Sequence, residues 1–389
     1  MNVRLAVAGG CAAGLASGWN VGNVGAVAEQ LGRSYGVGLA TVGLFTTALY
    51  VTHLLFQVPG GRASDRFGAR RVSLAGLVVI ACFNGLALIG PYPALVVVSR
   101  VLVGVGTGLA FVSGSAYVRV QGGSPFAQGL FGGVALGGGG LALAIVPPVD
   151  DAIGWRAPFV TAIVVAVAGL VLLAAAPADV ARAAPVAAHG STGVFRDARL
   201  YRLAVLYAAS LGLSVVIGNW VVTLLHRHGG LSKGGAGLVG ALTLILGVGT
   251  RPLGGWILRE RPERMRAAVI VSLVAGGVGT AALATARPLG VAIVGAALVG
   301  LAAGIPFAPA FTGAALTRPH APAAAVGFVN GAAAFVTLVG TPLVGLAFSL
   351  PGDGRLAFGV LAAVWGVALL LLPSQTQLGA TAAIESRSG

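Results

Sequence analysis

The chain has 389 residues; 57% are hydrophobic, only 9% are charged, 63 are glycine, and the formal net charge is +14. This composition excludes a soluble globular domain, in which about a quarter of the residues are charged. The positive excess is spread along the chain, which excludes a nucleic-acid-binding face. Cys11 and Cys82 fall in separate apolar segments, which excludes a disulfide framework or a cysteine metal site.

Apolar runs of about 20 residues suit a hydrocarbon slab of about 30 Å at about 1.5 Å rise per residue. In chain order they occupy about 4–30, 38–60, 72–90, 94–118, 128–149, 157–176, 200–225, 235–258, 266–286, 289–316, 324–349 and 355–373. These runs predict an all-α polytopic membrane protein with twelve transmembrane helices. A transmembrane barrel would instead show short alternating segments. The first run starts after Arg4 and continues past Trp19 and Asn20 without a small-residue cleavage site, so it reads as an uncleaved helix rather than a signal peptide.

Between the second and third runs lies a dense charged turn, Gly61-Arg62-Ala63-Ser64-Asp65-Arg66-Phe67-Gly68-Ala69-Arg70-Arg71. The one long polar interruption, 177–199, reads as a central cytoplasmic loop. It separates a six-helix bundle over 1–176 from a second over 200–374, and a tail follows at 375–389. With both termini in the cytoplasm, sixteen arginines lie in inner loops and tails against six Lys and Arg outside. That asymmetry fits a multi-pass protein of the plasma (inner) membrane.

The two sets of helices also repeat in sequence. Gly43, Leu44, Gly60 and Gly61 recur 194 positions later as Gly237, Leu238, Gly254 and Gly255. Leu102, Val103, Gly104, Gly108 and Phe111 recur 196 positions later as Leu298, Val299, Gly300, Gly304 and Phe307. Two parallel repeats with a site near the midplane between them are the architecture expected of an alternating-access carrier.

The charged turn reads Gly61, three residues, Asp65-Arg66, one residue, Gly68, then Arg70 and Arg71. It resembles the signature loop between helices 2 and 3 of the major facilitator superfamily. The fourth span begins Arg100-Val101-Leu102-Val103-Gly104-Val105-Gly106-Thr107-Gly108, similar to the family's second motif, and Gly154-Trp155-Arg156 with Phe159 is similar to a further family habit. The resemblance implies the major facilitator fold, usually monomeric. It also implies a cytoplasmic gate motif in Gly61, Asp65, Arg66, Gly68, Arg70 and Arg71, with Asp65 capping and pairing across a contact of helices 2 and 11. Two departures stand out: the counterpart of Asp65 in the second half is Arg259, and the fifth span lacks the Gly-Pro step of the antiporter motif.

Ionisable residues inside a membrane are costly and therefore functional candidates. Arg100 in the fourth span is either a substrate or proton-linkage site, or a helix-end arginine that snorkels or pairs with carbonyls. Arg251, the repeat counterpart of Gln57, either holds an anionic group or belongs to the second gate, and Pro252 beside it frees a carbonyl. His53 and Gln57 share a helix face and are candidates for proton coupling or for interhelical hydrogen bonding. Asn20, Asn23, Asn219 and Trp220 are candidates for lining a cavity from the first and seventh helices, or for bridging helices. None of the ten acidic residues falls in the middle third of a span, Glu29 coming nearest, which tilts the expected solute towards an anion or a neutral molecule.

No clustered His/Asp/Glu set or Cys-His pair is present, so no catalytic residue, metal or cofactor is expected. Gly104 to Gly108 lacks the Gly-Lys-Ser/Thr ending of a phosphate loop. The expectation is a secondary transporter of a small solute, leaning towards a small organic or inorganic anion. Protons are the coupling ion, the bilayer is its solvent, and nucleic acid is not a partner. The alternatives are a proton-driven multidrug efflux antiporter and, more remotely, a membrane enzyme or sensor on this scaffold.

Overall fold

The computed structural model describes residues 3–122, 124–179, 192–231, 233–286, 288–348, 351–352 and 354–382. Most of the predicted central loop (180–191) and the end of the tail (383–389) lie outside them, as do Arg287 and Asp353. The described residues form helices and turns with no strand. Among the described residues eight helices are long and apolar enough to cross a membrane, and a pair bent by 47° makes a ninth. Each of the twelve predicted spans corresponds to one helix or one broken helix. Large apolar side chains such as Leu44, Val164, Val171, Leu238, Val271 and Leu370 are exposed, as lipid-facing residues are.

The chain divides into two compact units. The first comprises Met1–Gly123, Val134–Thr192 and His320–Gly327; the second comprises Ser124–Gly133, Gly193–Pro319 and Phe328–Gly389. In the first, α1 (Val3–Gly22), α2 (Ala28–Tyr35), α3 (Leu39–Leu55), α4 (Gln57–Phe67), α5 (Ala69–Ala87) and α6 (Pro93–Gly122) are followed by most of α7 (Pro125–Ile153) and by α8 (Ala157–Ala175). The predicted first span stops early. Asn23 ends it by accepting from Val24 N at 2.9 Å through Oδ1 and donating to Pro158 O at 2.8 Å through Nδ2, and the chain re-enters helix as α2. Glu29 therefore lies on α2 rather than on α1. Tyr35 on α2 packs edge-on against Phe45 (5.9 Å) and against Trp155 of the Gly-Trp-Arg signature (5.7 Å). These rings belong to a core with Trp19, Val42, Val96 and Phe159.

Small residues set the helix spacing, as expected where lipid supplies no hydrophobic drive for association. A Cβ on Gly104 of α6 would lie 2.1 Å from Thr52 Oγ1 and 2.3 Å from the Leu49 carbonyl of α3. Gly104→Ala is expected to push α3 off α6 at a cost of about 1–3 kcal/mol. An unchanged apparent Tm in detergent would contradict so close a contact.

In the second unit the elements are α9 (Ala198–Tyr207), a π-helical stretch (Ala208–Leu213), α10 (Ser214–His228), α11 (Lys233–Glu260), α12 (Met265–Thr285), α13 (Leu289–Ala302), α14 (Phe307–Thr317), most of α15 (Pro322–Ala347) and α16 (Arg355–Leu370). The predicted seventh span thus carries a π turn, and the tenth is broken before Phe307. Away from water a broken helix leaves carbonyls that need donors. Ala302 O, at the end of α13, accepts from Ser210 Oγ at 2.6 Å on the π stretch and from Ser272 Oγ at 3.4 Å. Asp197 caps α9 by accepting from Arg199 N. Its carboxyl is held below the usual carboxylate range by the Arg199 side chain, then by that backbone bond and by Arg318.

Candidate functional site

Three of the sequence candidates meet at the break after α1. Arg100 is fully buried. It donates from Nη2 to the Asn20 carbonyl, from Nη1 to Asn23 Oδ1 at 3.5 Å, and from Nε to the Phe45 carbonyl of α3 at 3.3 Å. Asn20 Oδ1 accepts from Asn84 Nδ2 at 2.9 Å. A guanidinium at the C-terminal end of a helix satisfies carbonyls that have lost their intrahelical donors and opposes the negative end of the helix dipole. All three nitrogens of this guanidinium are engaged with protein.

His53, on the last turn of α3, shares a 3.0 Å hydrogen bond through Nδ1 with Thr107 Oγ1, which itself donates to Gly104 O. Gln57 starts α4 on the far side of the bend. It is 1% exposed, and neither atom of its side-chain amide has a partner. Asn219 and Trp220 both reach α15: Asn219 Nδ2 donates to Thr341 Oγ1 at 3.1 Å, and Trp220 Nε1 to Thr341 O at 2.7 Å while its ring stacks on Phe348.

The charged motif is a turn only at Gly68. Residues up to Phe67 continue as α4, and Gly68 reverses the chain at φ 97°, a conformation that disfavours a side chain. Asp65 accepts from Ala323 N at 3.1 Å and Ala324 N at 3.0 Å, two first-turn donors of α15. A Cβ on Gly61 would lie 2.4 Å from the Ala323 carbonyl. Arg70 serves a different junction. Its Nε and Nη2 donate to the Leu173 and Ala174 carbonyls at the end of α8, while its backbone N–H donates to Asp179. Arg66 and Arg71 are exposed.

A matching crossing lies within the second unit. A Cβ on Gly255 of α11 would meet Pro125 O at 2.2 Å, as one on Gly61 meets Ala323 O. Cβ atoms on Gly129 and Gly327 would likewise meet the carbonyls of the repeat-related pair Arg251 and Gln57, at 2.4 and 2.1 Å. The absence of an aspartate from the second crossing has a local reason. The first helical residue of α7 is Pro125, which has no N–H to satisfy, and Ser124 Oγ accepts from Ala127 N at 3.2 Å. The α7 terminus is therefore capped from its own sequence, and Arg259 is tolerated where Asp65 stands in the first half. The α15 terminus depends on Asp65. Asp65→Asn should expose its first-turn amides, and hydrogen exchange at 323–324 should rise about tenfold, the equivalent of ~1.4 kcal/mol; unchanged protection would count against this cap.

Arg251 lies one turn above that second crossing. It is 2% exposed. Nη1 donates to Gly132 O at 2.6 Å, and the guanidinium carbon sits 4.7 Å from the centre of the Phe307 ring. Nε and Nη2 make no well-formed hydrogen bond; the Tyr207 hydroxyl lies beside the guanidinium in a weak, poorly aligned hydrogen-bonding contact with it. Phe311 completes an aromatic cluster, 5.1 Å from Tyr207 and 4.4 Å from Phe307. Pro252 cannot donate to Val248 O, and Gly133 lets α7 approach that carbonyl, where a Cβ would lie 2.6 Å away. The result is a rigidly held cation with one donor edge unused.

Sequence reading picked out Arg251 but missed Tyr207, Phe307, Phe311 and Gly132. Tyr207, a phenol well inside an apolar run, is the available signal. Phe307 had entered only as a repeat identity with Phe111.

The profile of the Major Facilitator Superfamily matches residues 10–341. Among curated proteins, the chain is 38% identical over 77 residues to Probable anion transporter 7 of Oryza sativa subsp. japonica (20% of this chain, 18% of that protein). It is 28% identical over 135 residues to Probable anion transporter 6, chloroplastic, of Arabidopsis thaliana (33% and 26%). It is 27% identical over 145 residues to the Probable sulfoacetate transporter SauU of Cupriavidus necator (36% and 33%). The matched stretches thus span about a third or less of these relatives. Similar solved structures include the human organic anion transporter MFSD10 (TETRAN), at TM-score 0.74 and 17% identity over 96% of this chain and all of that one. The fucose:proton symporter FucP of E. coli follows at TM-score 0.73 and 14% identity, over 95% and 98%. At such identities the likeness is one of fold. With the profile running through both halves, the chain belongs to the Major Facilitator Superfamily and is a multi-pass membrane transporter, not an enzyme.

Proposed function

We propose that this transporter carries a small anion, held at Arg251, by alternating access with protons as the coupling ion. In this reading it works as a monomer in the plasma (inner) membrane with both termini in the cytoplasm. The observation that carries the proposal is the buried guanidinium of Arg251, whose Nε and Nη2 make no well-formed hydrogen bond and have only a weak contact with the Tyr207 hydroxyl beside them. A buried charged donor without a partner is costly, and an arriving anion removes that cost. Similarity to proteins described as anion transporters supports the same solute class.

A cationic solute of multidrug efflux finds less support. Among the described residues the buried carboxylates are Asp65, engaged with α15, and Asp150, in the last turn of α7 beyond the predicted fifth span. The test is anion binding to purified protein, read as a ligand-dependent rise in Tm. The reading expects a rise that Arg251→Gln removes; a rise with lipophilic cations alone would overturn it.

His53 is the proton-site candidate, as the buried histidine among the described residues. His53→Gln should leave anion binding intact and abolish the stimulation of uptake by an acid-outside gradient. Retained stimulation would remove His53 from that role.

A further inference from the structure

The geometry points to a solute whose only charge is a single carboxylate; this deepens the reading of Arg251 as the anion site and rests on it. Nε–H and Nη2–H of a guanidinium lie on one edge, in the plane of the group, and match the two oxygens of a carboxylate as a parallel pair. In Arg251 this is the unused edge. The plane itself is fixed, because Nη1 is tied to Gly132 O and one face rests on Phe307. The Tyr207 hydroxyl, whose oxygen makes only a weak contact with the guanidinium, keeps its O–H free to donate to the same carboxylate.

The surroundings argue against other anions. A sulfonate or phosphate is tetrahedral, so with two oxygens on the edge its remaining substituents leave the plane on both faces, one of which is covered by the apolar ring of Phe307. An oxygen desolvated there without a donor weakens binding. A dianion meets a second difficulty. Among the described residues the buried cations are Arg251 and Arg100, and Arg100 gives Nε, Nη1 and Nη2 to Phe45, Asn23 and Asn20. A second anionic group would therefore be desolvated with no free buried cation to face it.

The experiment is equilibrium binding of pyruvate, methanesulfonate and malonate to the detergent-purified full chain. It compares wild type with Arg251→Lys, Arg251→Gln and Tyr207→Phe, each first checked for an unchanged far-UV spectrum. Wild type is expected to bind pyruvate at least ~10-fold more tightly than methanesulfonate or malonate. Arg251→Lys, which keeps the charge without the fork, should lose the preference for pyruvate over methanesulfonate. Tyr207→Phe should weaken pyruvate binding by about 10-fold. Tighter binding of malonate or methanesulfonate that still disappears in Arg251→Gln would overturn the monocarboxylate assignment and leave the anion site standing. Binding of every anion unaltered in Arg251→Gln, or no binding of any to wild type, would overturn both.

Discussion

Replacing Arg251 with methionine will abolish anion binding and leave the ligand-free protein at least as stable as the wild type. The side chain makes one well-formed hydrogen bond, to Gly132 O, and leaves Nε and Nη2 buried with no more than a weak contact to Tyr207. Methionine has similar length, fills the space against Phe307 and brings no polar group to satisfy. Exchanging a poorly compensated buried charge for a well-packed apolar side chain is commonly neutral or stabilising by about 1–4 kcal/mol. The two readouts move in opposite directions: Tm without ligand holds or rises, while the shift on adding anion disappears. A variant that fails to fold would mean that Arg251 is a structural tie, and its unpaired edge would lose its meaning as a binding site.

The opposite outcome is expected at Arg100. Arg100→Met withdraws the donors that serve the Asn20 and Phe45 carbonyls and Asn23 Oδ1. These acceptors are buried where α1 ends, with Asn20, Asn23 and Phe45 all closed off from the surface. Removing one member of a buried, satisfied polar cluster costs about 3–5 kcal/mol, enough to consume a large share of a stability of ~5–15 kcal/mol. The variant should therefore melt early or resist purification. A stable Arg100→Met protein that has lost anion binding would reverse the assignment of the two arginines, making Arg100 the solute contact and Arg251 dispensable.

The fold was legible because its causes are local and repeated. Apolar runs of spanning length and the Gly61/Gly255 and Leu102/Leu298 identities act through composition and spacing. What escaped were interruptions whose compensation comes from elsewhere in the chain. The early end of α1 depends on Asn23 reaching Pro158, and the break before Phe307 on Ser210 and Ser272 reaching Ala302, partners that no local window contains.

The candidate site divides in the same way. Arg100 and Arg251 looked alike as isolated charges in apolar helices, and only their partners separate them: three hydrogen bonds for Arg100, against one to Gly132 and a weak contact with Tyr207 for Arg251. Asp65 was readable because its motif is contiguous in sequence. The missing aspartate at Arg259 was readable as a departure, but its explanation, Ser124 with Pro125, lies more than a hundred residues upstream.

The most direct test of the account is uptake of radiolabelled pyruvate, which stays ionised and crosses lipid poorly unaided, into proteoliposomes containing wild type or Arg251→Gln under an acid-outside gradient. Saturable uptake by wild type that falls at least ~30-fold in a folded Arg251→Gln protein, the equivalent of ~2 kcal/mol, is the predicted result. Equal uptake by the two proteins, or none by wild type, would contradict it.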